Sequence, residues 1–289
     1  MDDFRIKRVM ARWPFEHSKT NQEVISFFII SRCINAPKAE HRKAVWNLIR
    51  KRAHKGTAPI TVEVKQPREA LQYIYCIEKR PLRLILPAAM LRMQGAFVYG
   101  PGHPFVMALQ HGPEKLEEFY SGFTPRNIAE MYAIPLSNKA GEDLPPWELP
   151  WLLRLARTAP KGERGLTVDD GVSFYGPATG KKVSLEYERL QKTVLSIKTK
   201  GYQPDRYGDI EGHFMTDGQN VCFFVRGGKH RAAALAFLGH EKIPVRLRRS
   251  WPLVIDARSA RDWPLVAEGK IDADLAVDIL QAYLRGKDG

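Results

Sequence analysis

Cysteine is scarce in this 289-residue chain: Cys33, Cys76 and Cys222 are dispersed and odd in number. Such usage excludes a disulfide framework and suits a reducing compartment. No Cys/His grouping has zinc-site spacing, the eight histidines are scattered, and no metal ligand is assigned. Long apolar runs are lacking too, and none approaches the roughly 20 residues that cross a bilayer. Met1 to Arg5 has neither the charge order nor the apolar core of a signal peptide. A cytoplasmic protein without a membrane span is expected. Acidic residues are in deficit, 32 Asp plus Glu against 45 Lys plus Arg, for a net charge of +13. That balance favours anionic partners but does not choose between nucleotides and nucleic acid. No internal repeat or low-complexity tract is present.

What is there is enough to fold. A composition 44% hydrophobic and 10% aromatic excludes global disorder, and the length suits two domains or one domain with a large elaboration. Residues 4–13 and 24–34 are short apolar segments of either helix or strand type. Residues 38–54 form a basic amphipathic helix candidate, read as a solvated face rather than a nucleic-acid stripe. Strands are expected at 61–64 and 82–86, with a helix from Pro67 between them. The loop 97–104, rich in Pro and Gly, would fix His103. Leu116, Phe119, Tyr120 and Phe123 share one face of a helix, and Thr124-Pro125 is expected to open another that carries Ile128, Met131 and Tyr132. Prolines and tryptophans between 135 and 165 suggest a connector. The expected division is an α/β region over 1–150, a connector over 151–182 and a domain over 183–289.

In the C-terminal part, Gly176-Pro177-Ala178-Thr179-Gly180-Lys181-Lys182 is one residue short of a Walker loop and lacks its hydroxyl residue, so it reads as a turn that could lend Lys181 or Lys182 to a shared site. Ser184 is the expected cap of a helix with Tyr187, Leu190, Val194 and Ile197 inward, closed by Gly201. An extended polar segment, 202–207, leads into a hairpin turning at Asp217-Gly218. The second hairpin strand, Val221-Cys222-Phe223-Phe224-Val225, ends in Arg226-Gly227-Gly228 and runs into Lys229-His230-Arg231 and an Ala/Leu helix up to Gly239. Ile243-Pro244-Val245-Arg246-Leu247 is then a strand, residues 251–255 another, and Asp272 caps a last helix ending at Gly286. Two glycines permit close backbone approach, a helix start has unsatisfied amides, and three cationic or potentially cationic side chains stand at its positive end. This is an anion site, read as one for phosphate.

The order of helix, polar segment, hairpin, glycine turn and Ile-Pro-Val strand resembles the ParB/sulfiredoxin fold over about residues 183–250. The fold class implied is α+β, with a ParB/sulfiredoxin-like core in the C-terminal half and a mixed α/β N-terminal region. Relatives include partition CTPases, sulfiredoxin and free serine kinases, which hold nucleotide phosphates at this turn. The resemblance thus implies a nucleotide site at Arg226, Gly227, Gly228, Lys229, His230 and Arg231, with ATP or another nucleotide as ligand and Mg2+ as the accompanying ion. Lys229 stands where sulfiredoxin has its nucleophilic cysteine, so sulfinate repair is not expected. Gly227 stands where the serine kinases carry an acidic residue, so a kinase must take its carboxylate elsewhere, and Glu186 and Asp205 are the candidates, with Asp209 a further one.

The reading that follows is a phosphotransferase, or kinase, acting on a small molecule or glycan precursor. The pattern around Trp263-Pro264-Leu265-Val266 is also similar to proteins encoded among bacterial polysaccharide biosynthesis genes. Two alternatives stay open: a nucleotide-switched, partition-like DNA-binding regulator, and a non-catalytic nucleotide sensor. Only about forty residues follow Leu247, so the helix-turn-helix module of partition proteins is missing from its expected place.

Overall fold

A computed structural model describes residues 60–65, 82–93, 99–134, 144–152, 165–171, 174–247 and 252–286. The segments 4–13, 24–34 and 38–54 and the helix from Pro67 lie outside the described residues, as do Cys33 and Cys76. The chain is α+β, with helices on both faces of one mixed sheet. Strands β1 (Ile60–Glu63), β2 (Leu82–Pro87), β3 (Leu91–Met93), β4 (Ile210–Thr216), β5 (Val221–Gly227) and β6 (Lys242–Leu247) lie in the order β1-β2-β6-β4-β5-β3, and β7 (Val254–Asp256) pairs with β4. Strands from both sides of the expected 151–182 connector therefore share one sheet.

β4 is the axis of the sheet. It pairs antiparallel with β5 in the expected hairpin, Phe214 opposite Phe223. Its other edge takes β6 and β7 end to end, both parallel, with Ile210 beside Val245 and Phe214 beside Val254. Asp217 shapes the hairpin turn by accepting the amides of Gln219 and Asn220 at 2.9 and 2.7 Å. Burial alone would raise its carboxyl, but those bonds and others from the Asn220 and Gln281 side chains outweigh burial and hold it down to about 2.

The helices are α1 (Pro104–His111), α2 (Glu114–Gly122), α3 (Ile128–Tyr132), α4 (Gly180–Lys200), α5 (Pro204–Tyr207), α6 (Lys229–Phe237), α7 (Pro264–Ala267) and α8 (Ala273–Arg285). Several starts differ from expectation because a better cap lies nearby. α4 begins four residues before Ser184, capped by Thr179, whose hydroxyl accepts the Lys182 amide. α3 is capped by Asn127, not Thr124. His103 caps α1 through Nδ1, which accepts the Phe105 amide at 3.1 Å, and α1 itself has no counterpart among the expectations. The polar segment 202–207 is not fully extended: Pro204 opens the single helical turn α5.

Strand alternation divides the core in two. Phe214, Phe223 and Val225 join Leu84, Phe105, Leu190 and the alanines Ala232, Ala233 and Ala234 on the face covered by α1, α4 and α6. The small alanine side chains let α6 lie close to the sheet. Met215, Cys222 and Phe224 face the other way, against Tyr132, Trp151, Ile255, Trp263, Leu280 and Tyr283. At one end of the sheet, Arg92 of β3 donates to the carbonyls of Tyr283 and Leu284 at 2.9 and 3.2 Å, which satisfies the end of α8.

Candidate functional site

The glycine turn is built as its sequence suggests. Gly227 ends β5, and Gly228 is the N-cap of α6 with φ 76° and ψ 28°, a left-handed conformation that favours glycine. A Cβ on Gly228 would lie 3.1 Å from the Cα of Ile210 and 2.9 Å from an Arg231 guanidinium nitrogen. Substitution would strain the backbone and also push against β4. Glycine carries no side-chain oxygen, so the first amides of α6 take no bond from their own N-cap, and the helix dipole adds positive potential there.

The basic residues around the turn have four different placements. Lys229 holds its Nζ 3.3 Å from the centroid of the Phe174 ring, a cation–π contact. His230 stacks on Phe105, centroids 5.3 Å apart and planes 15° apart, and Phe105 in turn meets Phe174 at 5.4 Å. Arg231 folds toward the preceding loop, where Nη1 donates to the carbonyls of Tyr207 and Gly208. Arg226, included in the expected nucleotide site, points elsewhere. Its guanidinium lies 5.2 Å from the Phe224 ring, on the opposite face of the sheet. There it opposes the effect of burial, which pushes the hydrogen-bonded Tyr132 and Tyr283 phenols up.

Glu186 reaches the turn through His230, and Asp205 pairs with Arg83. The Glu186 side chain, 2% exposed, is in hydrogen-bond contact with His230 Nε2 and stands 3.7 Å from Arg189 Nη1. Asp205 binds Arg83 Nη2 at 2.9 Å. Asp209, buried one step before β4, accepts from Arg83 Nε at 2.6 Å and Arg246 Nη1 at 3.0 Å. This arginine–aspartate network ties β2, β6 and the loop before β4 together. Each of the three carboxylates thus answers a cation of the protein, and among the described residues no group of three His, Cys, Asp or Glu is placed to hold a metal.

The lysines of the short glycine loop have partners of their own. Lys181 lies 3.4 Å from Asp170, and Lys182 is fully buried, its Nζ 3.4 Å from the Gly171 carbonyl and 5.8 Å from the Tyr120 ring centroid. Cys222, near the start of β5, is buried in the second core, and burial pushes its thiol up to about 12, so it offers no thiolate. Sequence reasoning missed Phe105 and Phe174, which carry His230 and Lys229, and Arg83, which holds Asp205. No local spacing marks these residues, because each contact spans tens of positions or more. No protein-family model matches the chain, and no curated protein matches it in sequence.

Proposed function

We propose that this protein binds a nucleotide by its phosphates at Gly227–Arg231 and transfers a phosphoryl group to the hydroxyl of a small molecule or glycan precursor. The observation that carries the reading is the left-handed Gly228 N-cap, followed at once by Lys229 and His230 on the first turn of a nine-residue helix. Free backbone amides and the helix dipole meet at this turn with Lys229 and His230 beside it, a setting that suits a phosphate. The resemblance to the ParB/sulfiredoxin fold supports a nucleotide as the phosphate donor. Phosphoryl transfer depends mainly on positioning and charge neutralisation, and the turn supplies both.

One observation favours a second reading, a nucleotide sensor without turnover: Glu186, Asp205 and Asp209 all pair with cationic side chains or His230. The partition-like, DNA-binding alternative has less behind it, since the described residues after Leu247 pack α8 into the second core. Calorimetric titration with ATP, ADP, CTP and tripolyphosphate tests the phosphate site. Binding that weakens in Lys229→Ala supports it, and no heat from any of the four sinks it. Phosphate release or transfer by the binding-competent protein then separates kinase from sensor.

A further inference from the structure

Glu186 was expected to take a proton from substrate directly, but its position does not allow that. The carboxylate is buried on α4, and its two oxygens face His230 Nε2 and Arg189 Nη1. The ring of His230 is 27% exposed, against 2% for the carboxylate it meets. With Glu186 ionised beside Arg189, its carboxylate only accepts hydrogen bonds, and the contact then places a hydrogen on Nε2. A neutral ring in that tautomer carries its lone pair on Nδ1. Phe105, nearly parallel at 5.3 Å, limits ring rotation about the bond that would exchange the two edges.

We propose that His230 is the proton-accepting residue of this site, acting through Nδ1, and that Glu186 is its positioning residue. The assignment rests on the nucleotide reading of the turn, and deepens it by requiring an acceptor substrate with a hydroxyl group. In the transfer step Nδ1 takes the hydroxyl proton as the acceptor oxygen forms its bond to the γ-phosphorus. The bond from that phosphorus to the bridging oxygen breaks, and its electron pair leaves with the nucleoside diphosphate. The imidazolium so formed lies against the Glu186 carboxylate, which stabilises the charge without itself being protonated, as the carboxylate of a Ser-His-Asp triad does.

The test is nitrogen NMR of full-length protein labelled at histidine, with the His230 signals assigned by their loss in His230→Asn. The expected result is a neutral ring protonated at Nε2, a tautomer preference that is lost in Glu186→Leu, and a shift of the Nδ1 resonance on adding ATP. A neutral ring protonated at Nδ1 in the wild type overturns the proposal, and that measurement needs no variant to fold. A tautomer preference unchanged in folded Glu186→Leu also overturns it, as does an Nδ1 resonance that ignores ATP while calorimetry shows ATP bound. If calorimetry shows no binding of ATP or tripolyphosphate, the phosphate reading fails and the proposal with it. The two failures are therefore distinguishable.

Discussion

The two faces of the sheet solve different problems with the same strand. On one side of β5, Phe223 and Val225 pack beneath α6, and the face ends at a turn where Lys229, His230 and Glu186 stand together. On the other side, Cys222 and Phe224 pack against Tyr283 and the Trp151–Trp263 pair, and Arg226 is drawn into that aromatic surface. The first face gathers polar residues around the turn, while the second is largely aromatic and pairs the Tyr132 and Tyr283 hydroxyls at 2.7 Å. The lesson is that a cation beside a phosphate-type turn belongs to it only if strand alternation puts it on the helix side.

Substitutions on each face should separate stability from ligand binding. The largest effect is expected from Phe224→Ala, which removes a fully buried ring 4.4 Å from that of Tyr283. Chemical denaturation should show a loss of about 3–5 kcal/mol, with ATP affinity of the folded protein unchanged. Gly228→Val comes next, because a β-branched residue must adopt φ 76° against β4. Strain of about 1–3 kcal/mol is expected, together with loss of measurable ATP binding. Were this variant to bind ATP normally, the turn would not be the phosphate site.

Lys229→Ala should weaken ATP binding about tenfold, equivalent to about 1.4 kcal/mol, and leave the unfolding midpoint nearly unmoved. Raising salt should narrow the gap between wild type and variant. Arg226→Met keeps apolar length over Phe224 and should cost about 1 kcal/mol or less with no change in ATP affinity. A tenfold loss of affinity in that variant would put Arg226 back at the turn. The smallest effect concerns acid stability. Asp217 has its folded carboxyl lowered from 3.8 to about 2, so its contribution is present above pH 3.8 and lost as pH falls through about 2. Asp217→Asn should flatten that part of the stability profile by about 1 kcal/mol or less, since the group is partly solvated.

Much of the second half was legible because its signals are local. The run from Val221 to Val225, the glycine pair and the alanines that follow state strand, turn and buried helix within twenty residues, and β5, α6 and β6 stand there. Arg226 was open to the same logic: it lies two residues after Phe224, and a period of two puts both on one face. Pairings across the chain were not legible. Nothing near Asp205 announces Arg83, 122 residues away, and nothing near His230 announces Phe105 beneath it. Of the first-half strands, those at 61–64 and 82–86 were read and β3 was not, and because strand patterns do not name their neighbours, the pairing of β2 with β6 was not foreseen.

The sheet also ends in a way that bears on how this chain meets copies of itself. Among the described residues its outer strands are β1, four residues long, and β3 and β7, three residues each. β4, the strand with the longest continuous burial, is covered along one edge by β5 and along the other by β6 and β7 in succession. A short margin offers little template for the backbone of another molecule. At β3 the margin is also fastened by Arg92 to the last carbonyls of α8. Fraying there therefore has to release the end of a helix as well, and crowding should find this border a poor place to begin a fibril.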